Sequence, residues 1–143
     1  MQASSSQDQR PLSVLVVEDD IDMARLIEAL LRDMGAGLIE RARNGQQAIN
    51  FLRKKLDDYD LIISDWEMPE VSGIELLREV RKRRPQMPFL MLTVNTGSDD
   101  ILAAKDARVT AYMSKPFKAR DLKTKILTIT GQIGRKEESV MIC

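Results

Sequence analysis

The chain predicts a doubly wound α/β domain in which a five-stranded parallel sheet is covered by helices on both faces. Three observations carry that expectation. Short apolar runs of strand length alternate with segments whose apolar residues recur at helical spacing, the pattern of successive β-α units. The runs Val14–Val17, Leu61–Ile63 and Phe89–Leu92 are apolar without interruption, as strands buried on both faces are. Acidic, hydroxyl and ammonium side chains follow the ends of these runs, where open parallel sheets carry their sites.

Met1 to Arg10 are polar and rich in Ser and Gln, and read as a flexible tail ahead of a domain spanning 11–130. The first strand ends on Glu18–Asp19–Asp20. Met23, Leu26, Ile27, Leu30, Leu31 and Met34 then recur at helical spacing, and Gly35 and Gly37 close that helix. Leu38 to Ala42 forms a second strand, polar enough to sit at a sheet edge. Asn44–Gly45 opens a helix with Ala48, Ile49, Phe51, Leu52 and Leu56 as inward candidates. The third strand, Leu61 to Ser64, ends on Asp65. Ser72 with Glu75 predicts a capping box for a helix buried through Ile74, Leu77 and Val80. Pro85 stops that helix, and Pro88 leads into the strand Phe89–Leu92. A fourth helix is expected around Ser98 to Ala107 and a fifth strand near Ala111–Met113. The last helix is expected over Arg120 to Ile129, with Leu122, Ile126 and Ile129 inward, leaving 131–143 as a C-terminal tail.

At 143 residues the chain has the size of one domain. Its 22 basic and 22 acidic residues cancel, so no overall charge draws it toward nucleic acid or an anionic membrane. The single cysteine, Cys143, excludes an intrachain disulfide. No apolar run approaches the roughly 20 residues of a membrane span, and the first residues lack the basic-then-apolar order of a secretory signal. A cytoplasmic protein is expected. The absence of histidine excludes histidine-based triads and imidazole zinc sites, and assigns any phosphohistidine donor to a partner.

Two buried strands that deliver Glu18, Asp19 and Asp65 at the same end gather like charges. Such a group takes up protons unless a cation neutralises it. Hard oxygen ligands with positions left for water and phosphate suit Mg²⁺. Thr93 and Lys115, after two further apolar segments, add a hydroxyl and an ammonium. The set points to the handling of one phosphoryl group.

The segments Val16–Val17–Glu18–Asp19–Asp20, Ser64–Asp65–Trp66–Glu67–Met68–Pro69, Met91–Leu92–Thr93 and Ser114–Lys115–Pro116–Phe117 resemble those of a response-regulator receiver domain. The resemblance is to the CheY-like family of two-component systems and covers Leu12 to Ile129. It implies a flavodoxin-like sheet of strand order 2-1-3-4-5. It further implies that Asp65 is the phosphoacceptor, and that Glu18, Asp19, Asp65 and the backbone carbonyl of Glu67 hold Mg²⁺. Lys115 would offset phosphoryl charge, and Thr93 would bond a phosphoryl oxygen. Tyr112 would change rotamer with Thr93 and so alter the face of the fourth helix, fifth strand and fifth helix. The partners implied are a histidine kinase or histidine phosphotransfer protein as donor and a protein target, with no DNA and no membrane span. The chain would then be a stand-alone signalling phosphoacceptor and not an enzyme acting on a separate substrate.

Other readings attach to particular residues. Asp20 and Asp22 suit the first turn of a helix better than a metal. The run Arg81–Lys82–Arg83–Arg84 suits a solvated helix end, the alternative being a phosphorylation-independent binding module for an anion or nucleotide. A phosphate sink that drains a kinase is a further alternative. An FMN-binding flavodoxin is excluded, because acids stand where its phosphate loop needs hydroxyls and amides. The chain departs from the family pattern at Val94, where a small residue is usual, and at Arg108, where a glycine commonly ends the fourth helix. Glu67 and Asn95 flank the site.

Overall fold

A computed structural model describes residues 11–94, 97–131 and 141–142. The expected N-terminal tail, 1–10, and Asn95 lie outside the described residues. The elements run β1 (Ser13–Val17), α1 (Ile21–Asp33), β2 (Leu38–Ala42), α2 (Gly45–Lys55), a 3₁₀ turn (Leu56–Asp58), β3 (Leu61–Asp65), α3 (Gly73–Arg83), β4 (Phe89–Thr93), α4 (Ser98–Asp106), β5 (Ala111–Ser114), α5 (Ala119–Ile129) and β6 (Met141–Ile142). All strand pairs are parallel, in the order β2-β1-β3-β4-β5-β6. The order expected of five strands is therefore present. Two residues of the expected C-terminal tail add to it, pairing Met141 with Ala111 and Ile142 with Tyr112. A bare strand edge offers unpaired amides and carbonyls to any segment that reaches it.

Alternate residues along each central strand enter opposite cores, which is why those strands are apolar without a break. Leu15, Val17, Ile62, Phe89, Met91 and Tyr112 pack toward α2, α3 and α4. Val14, Val16, Ile63, Leu90, Leu92 and Met113 pack toward α1 and α5, against Ile27, Leu31, Leu122, Ile126 and Ile129. On the edge strand β2, Glu40 accepts hydrogen bonds from Tyr59 and from Lys55, the latter at 2.7 Å, so its polar residues are engaged by the following helix and turn.

Three of the five helices, α1, α2 and α3, start where a side chain caps them. Asp20 accepts from the Asp22 amide at 3.0 Å, Asn44 accepts from Gln47 at 2.8 Å, and Ser72 with Glu75 forms both bonds of the capping box. At the far end of α4, Arg108 adopts φ 64°. Its amide bonds the Lys105 carbonyl and Val109 bonds Ala104, so the left-handed turn that glycine commonly makes is built here on arginine. α1 buries the narrow stripe of Ala24, Ile27 and Leu31 and leaves Leu26 44% exposed. One inward expectation is corrected. In α3 the fully buried partner of Leu77 is Leu76, with Ile74 only packed against the margin of the core. Among the described residues no helix is long and apolar enough to cross a membrane.

Candidate functional site

Strand register brings the candidate residues level. Val17 lies opposite Ser64, Asp65 opposite Leu92, and Thr93 opposite Ser114, so one residue further along each strand the side chains meet above the same end of the sheet. Backbone bonds extend past the strand ends and fix these positions. The Glu18 amide bonds Ala42, Trp66 bonds Leu92, and Lys115 bonds Thr93, at 3.1, 2.9 and 2.8 Å. The Lys115–Pro116 peptide bond is cis.

Carboxylate oxygens of Glu18, Asp19 and Asp65 lie within 4.8 Å of one another. Glu18 is 1% exposed and Asp65 7%, while Asp19 faces solvent. The Lys115 ammonium reaches into the group, 3.2 Å from Glu18 Oε1 and 3.4 Å from Asp65 Oδ1. Burial and, after it, the Asp65 charge push the Glu18 carboxyl up to about 7, although Lys115 pulls the other way. Burial works against the charge on Lys115, but Glu18 and Asp65 outweigh it and hold the ammonium above its ordinary value. One cation against three carboxylates leaves an excess of negative charge in a partly desolvated place. A small divalent cation that takes oxygen ligands fits that donor set.

Thr93 is buried, and its hydroxyl donates to both carboxylate oxygens of Glu67, each at 3.4 Å. It is also hydrogen-bonded to the Tyr112 side chain. Tyr112 is 1% exposed and meets the Trp66 ring edge-on, with centroids 6.0 Å apart. The candidate residues thus form two joined groups: Glu18, Asp19, Asp65 and Lys115 in one, and Thr93, Tyr112 and Glu67 in the other. From Glu67 the sequence leads one to expect only a backbone oxygen. Its carboxylate is engaged as well.

Two supporting residues escape the sequence reading. Arg41, on β2 opposite Val16, donates to the Glu18 carbonyl through Nε and Nη2 at 3.3 and 3.0 Å, and to the Asp19 carbonyl at 3.4 Å, pinning the acidic loop. Gly73 starts α3 directly beneath Asp65. A Cβ there would collide with the Asp65 carbonyl oxygen and stand 2.8 Å from Met91 Sδ and 2.9 Å from Trp66 Cα. A glycine at the first turn of a helix, where better helix formers are available, is the signal that could have revealed it. Asp20, by contrast, caps α1, and its own amide donates to Glu18 Oε2 at 3.2 Å.

The run Arg81–Arg84 does not form one surface patch. Arg81 is buried and donates to the carbonyls of Arg108, Arg84 and Met87 and to the Thr110 hydroxyl. Lys82 pairs with Glu79, Arg83 bonds the Leu52 carbonyl, and Arg84 pairs with Asp57. Helical geometry points successive side chains about 100° apart, and each basic residue finds a different partner. Val94 is 64% exposed, so its branched side chain lies at the surface next to Thr93.

Residues 14–127 match the family model of the response regulator receiver domain. The chain is 39% identical over 117 residues to the chemotaxis protein CheY of Pseudomonas aeruginosa, covering 80% of this chain and 93% of that protein. It is 36% identical over 117 residues to the chemotaxis protein CheY-3 of Vibrio cholerae, covering 80% and 88%. Among solved structures, the chemotaxis response regulator CheY4 of Vibrio cholerae is similar with a TM-score of 0.76 at 30% identity, over 84% of this chain and 99% of that one. A response regulator receiver domain protein from Clostridium thermocellum gives a TM-score of 0.77 at 29% identity, over 85% and 95%. The same end of the sheet that gathers the three acids and the lysine is therefore set in a chain that belongs to the CheY-like response regulator receiver domains of two-component signalling.

Proposed function

We propose that the chain accepts a phosphoryl group on Asp65, in a Mg²⁺-dependent reaction, from a histidine kinase or histidine phosphotransfer protein, and signals by protein contact. The single observation that supports this best is the setting of Asp65. It is a nearly buried carboxylate with two acidic neighbours and an ammonium 3.4 Å away. An Asp65 carboxylate oxygen would form the O–P bond of an acyl phosphate as the N–P bond of the partner's phosphohistidine breaks, its electron pair returning to the imidazole. Glu18, Asp19, Asp65 and the Glu67 carbonyl would hold Mg²⁺, which when bound supplies charge neutralisation on the phosphoryl oxygens. Lys115, 3.4 Å from Asp65 Oδ1, would add to that neutralisation once the carboxylate becomes an acyl phosphate. Thr93 would donate to a phosphoryl oxygen, and Tyr112, joined to it, would carry the change to the face made by α4, β5 and α5. The chain would then catalyse only its own phosphorylation and dephosphorylation.

The test uses Trp66, the sole tryptophan and the neighbour of Asp65. Its emission should respond to Mg²⁺ and again to a small phosphodonor or beryllofluoride, and Asp65→Asn should abolish the second response. A native chain silent to both additions overturns the proposal.

A further inference from the structure

The basic run at the end of α3 divides between two sides of the helix. Arg83 and Arg84 turn to the Leu52 carbonyl and to Asp57. Arg81 and Lys82 stand three and four residues after Arg78, so α3 carries these three on one side. The turn after α4 brings Arg108 up to them. Between the two elements lies a cavity of about 240 Å³ lined by Arg78, Arg81, Lys82, Asp106, Ala107 and Arg108. Four cations and one carboxylate thus border it. Two features set this cluster apart from a solvated helix end. Arg81 is buried, and it spends four of its five N–H groups on three carbonyls and the Thr110 hydroxyl. Neutral oxygens satisfy those bonds but leave the charge without a counter-ion. Burial and, after it, the nearby Arg108 charge push the guanidinium down to about 10. The second feature is Arg108 itself, held at φ 64°, where glycine would sit without strain. The chain therefore keeps one cation beside another through a strained backbone, and such strain clusters where ligands bind.

We propose that this cavity is an anion site, separate from the one around Asp65, whose ligand is a diphosphate group. The planar forks of Arg78 and Arg108 each match two oxygens, so two adjacent phosphoryl groups suit them better than one. Lys82 adds a point charge; its surface pair with Glu79, 71% and 48% exposed, holds it only weakly. Arg81 covers carbonyls at the ends of α3 and α4, whose partial negative charge would otherwise oppose an anion there. Asp106 is the one opposing group in the lining. Arg81 bonds Met87 and Thr110, just ahead of β4 and β5, whereas Asp65, Thr93 and Lys115 stand at or after strand ends. The two sites lie at opposite ends of the sheet, so both can be filled together.

The experiment is amide NMR of the full chain in metal-free buffer, titrated with pyrophosphate. The amides of Arg78, Lys82, Arg108 and Val109 should shift together to saturation, while those of Glu18 and Asp65 stay in place. Arg78→Ala and Arg108→Gly should each weaken binding about tenfold, the scale of one charge-assisted bond. Arg108→Gly relieves the left-handed turn, so its loss of affinity cannot come from unfolding. Asp106→Asn should tighten binding several-fold. Arg83→Ala removes an equal charge outside the cavity and should leave affinity unchanged. Asp65→Asn should also bind as the native chain does, which keeps this site distinct from the phosphoacceptor reading. ADP binding more tightly than pyrophosphate makes the source a nucleotide; equal or weaker binding makes it inorganic diphosphate. Orthophosphate binding as tightly as pyrophosphate overturns the diphosphate assignment. The inference also falls if neither pyrophosphate nor ADP shifts the Arg108 amide at millimolar concentration, or if Arg83→Ala weakens binding as much as Arg108→Gly does.

Discussion

Glu18 is the residue on which the electrostatics of the site turns, since it is buried among like charges with one lysine to relieve it. Its carboxyl lies at about 7 instead of 4.5. The folded chain therefore binds a proton over this interval that the unfolded chain has already released, and stability falls as pH rises from about 4.5 to about 7. In metal-free buffer the melting temperature should drop from about pH 5 to about pH 8, by up to about 3 kcal/mol of stability for a shift of this size. Glu18→Gln should flatten that slope and, at the upper end, melt above the native protein, while losing the response to Mg²⁺. Calorimetry across this range, with and without metal, checks both. Lys115 works in the opposite sense. Lys115→Ala should slow phosphorylation from a small donor by about a hundredfold, the scale seen when one charge-stabilising donor is removed, as read by the rate of the Trp66 response. Arg108 stores strain of another kind. Arg108→Gly should stabilise the fold by about 1 kcal/mol, visible as a higher urea midpoint, because only the side chain opposes its left-handed φ.

Among the elements, α3 is the one that presses against the chemistry. Gly73 lets its first turn touch the backbone of Asp65 and Trp66. Gly73→Ala should cost roughly 1–3 kcal/mol through overpacking and should also slow phosphorylation, since the added carbon displaces the carbonyl of Asp65 itself. Ser72→Ala, which removes the cap of the same helix, should cost about 1 kcal/mol and leave the phosphorylation rate near native. Urea titration paired with the phosphorylation rate separates the two. This contrast marks what the amino-acid pattern reveals. The capping box, the strands Leu38–Ala42 and Phe89–Leu92, and the inward face Leu122, Ile126 and Ile129 all follow from local spacing. The duties of Gly73, Arg41 and Glu67 depend on partners brought near by folding, such as Arg41 with a carbonyl 23 residues earlier. Local spacing holds no trace of the Arg41 and Glu67 side-chain contacts, and for Gly73 it offers only the oddity of a glycine in the first turn of a helix.

At the scale of the whole molecule, sheet register converts four separate strand ends into one site. That the acids and Lys115 stand at strand ends is readable from the chain, because apolar runs stop at them. The strand order is not, and it entered through the family resemblance. The pairing of β6 was unreadable for a simpler reason, since a two-residue strand has no pattern of its own and depends on the free edge of β5. Mg²⁺ bound only by the folded chain should raise its melting temperature, by about 2.7 kcal/mol of stability at a hundred times the dissociation constant. Asp65→Ala should cancel most of that gain. The opposite pole of the domain is built differently. There one buried guanidinium, Arg81, ties the turn after α3 to the turn after α4 through three carbonyls and a hydroxyl. A lysine at that place keeps the charge but cannot span the fork. Arg81→Lys should therefore speed amide hydrogen exchange in both turns and leave the phosphorylation rate intact.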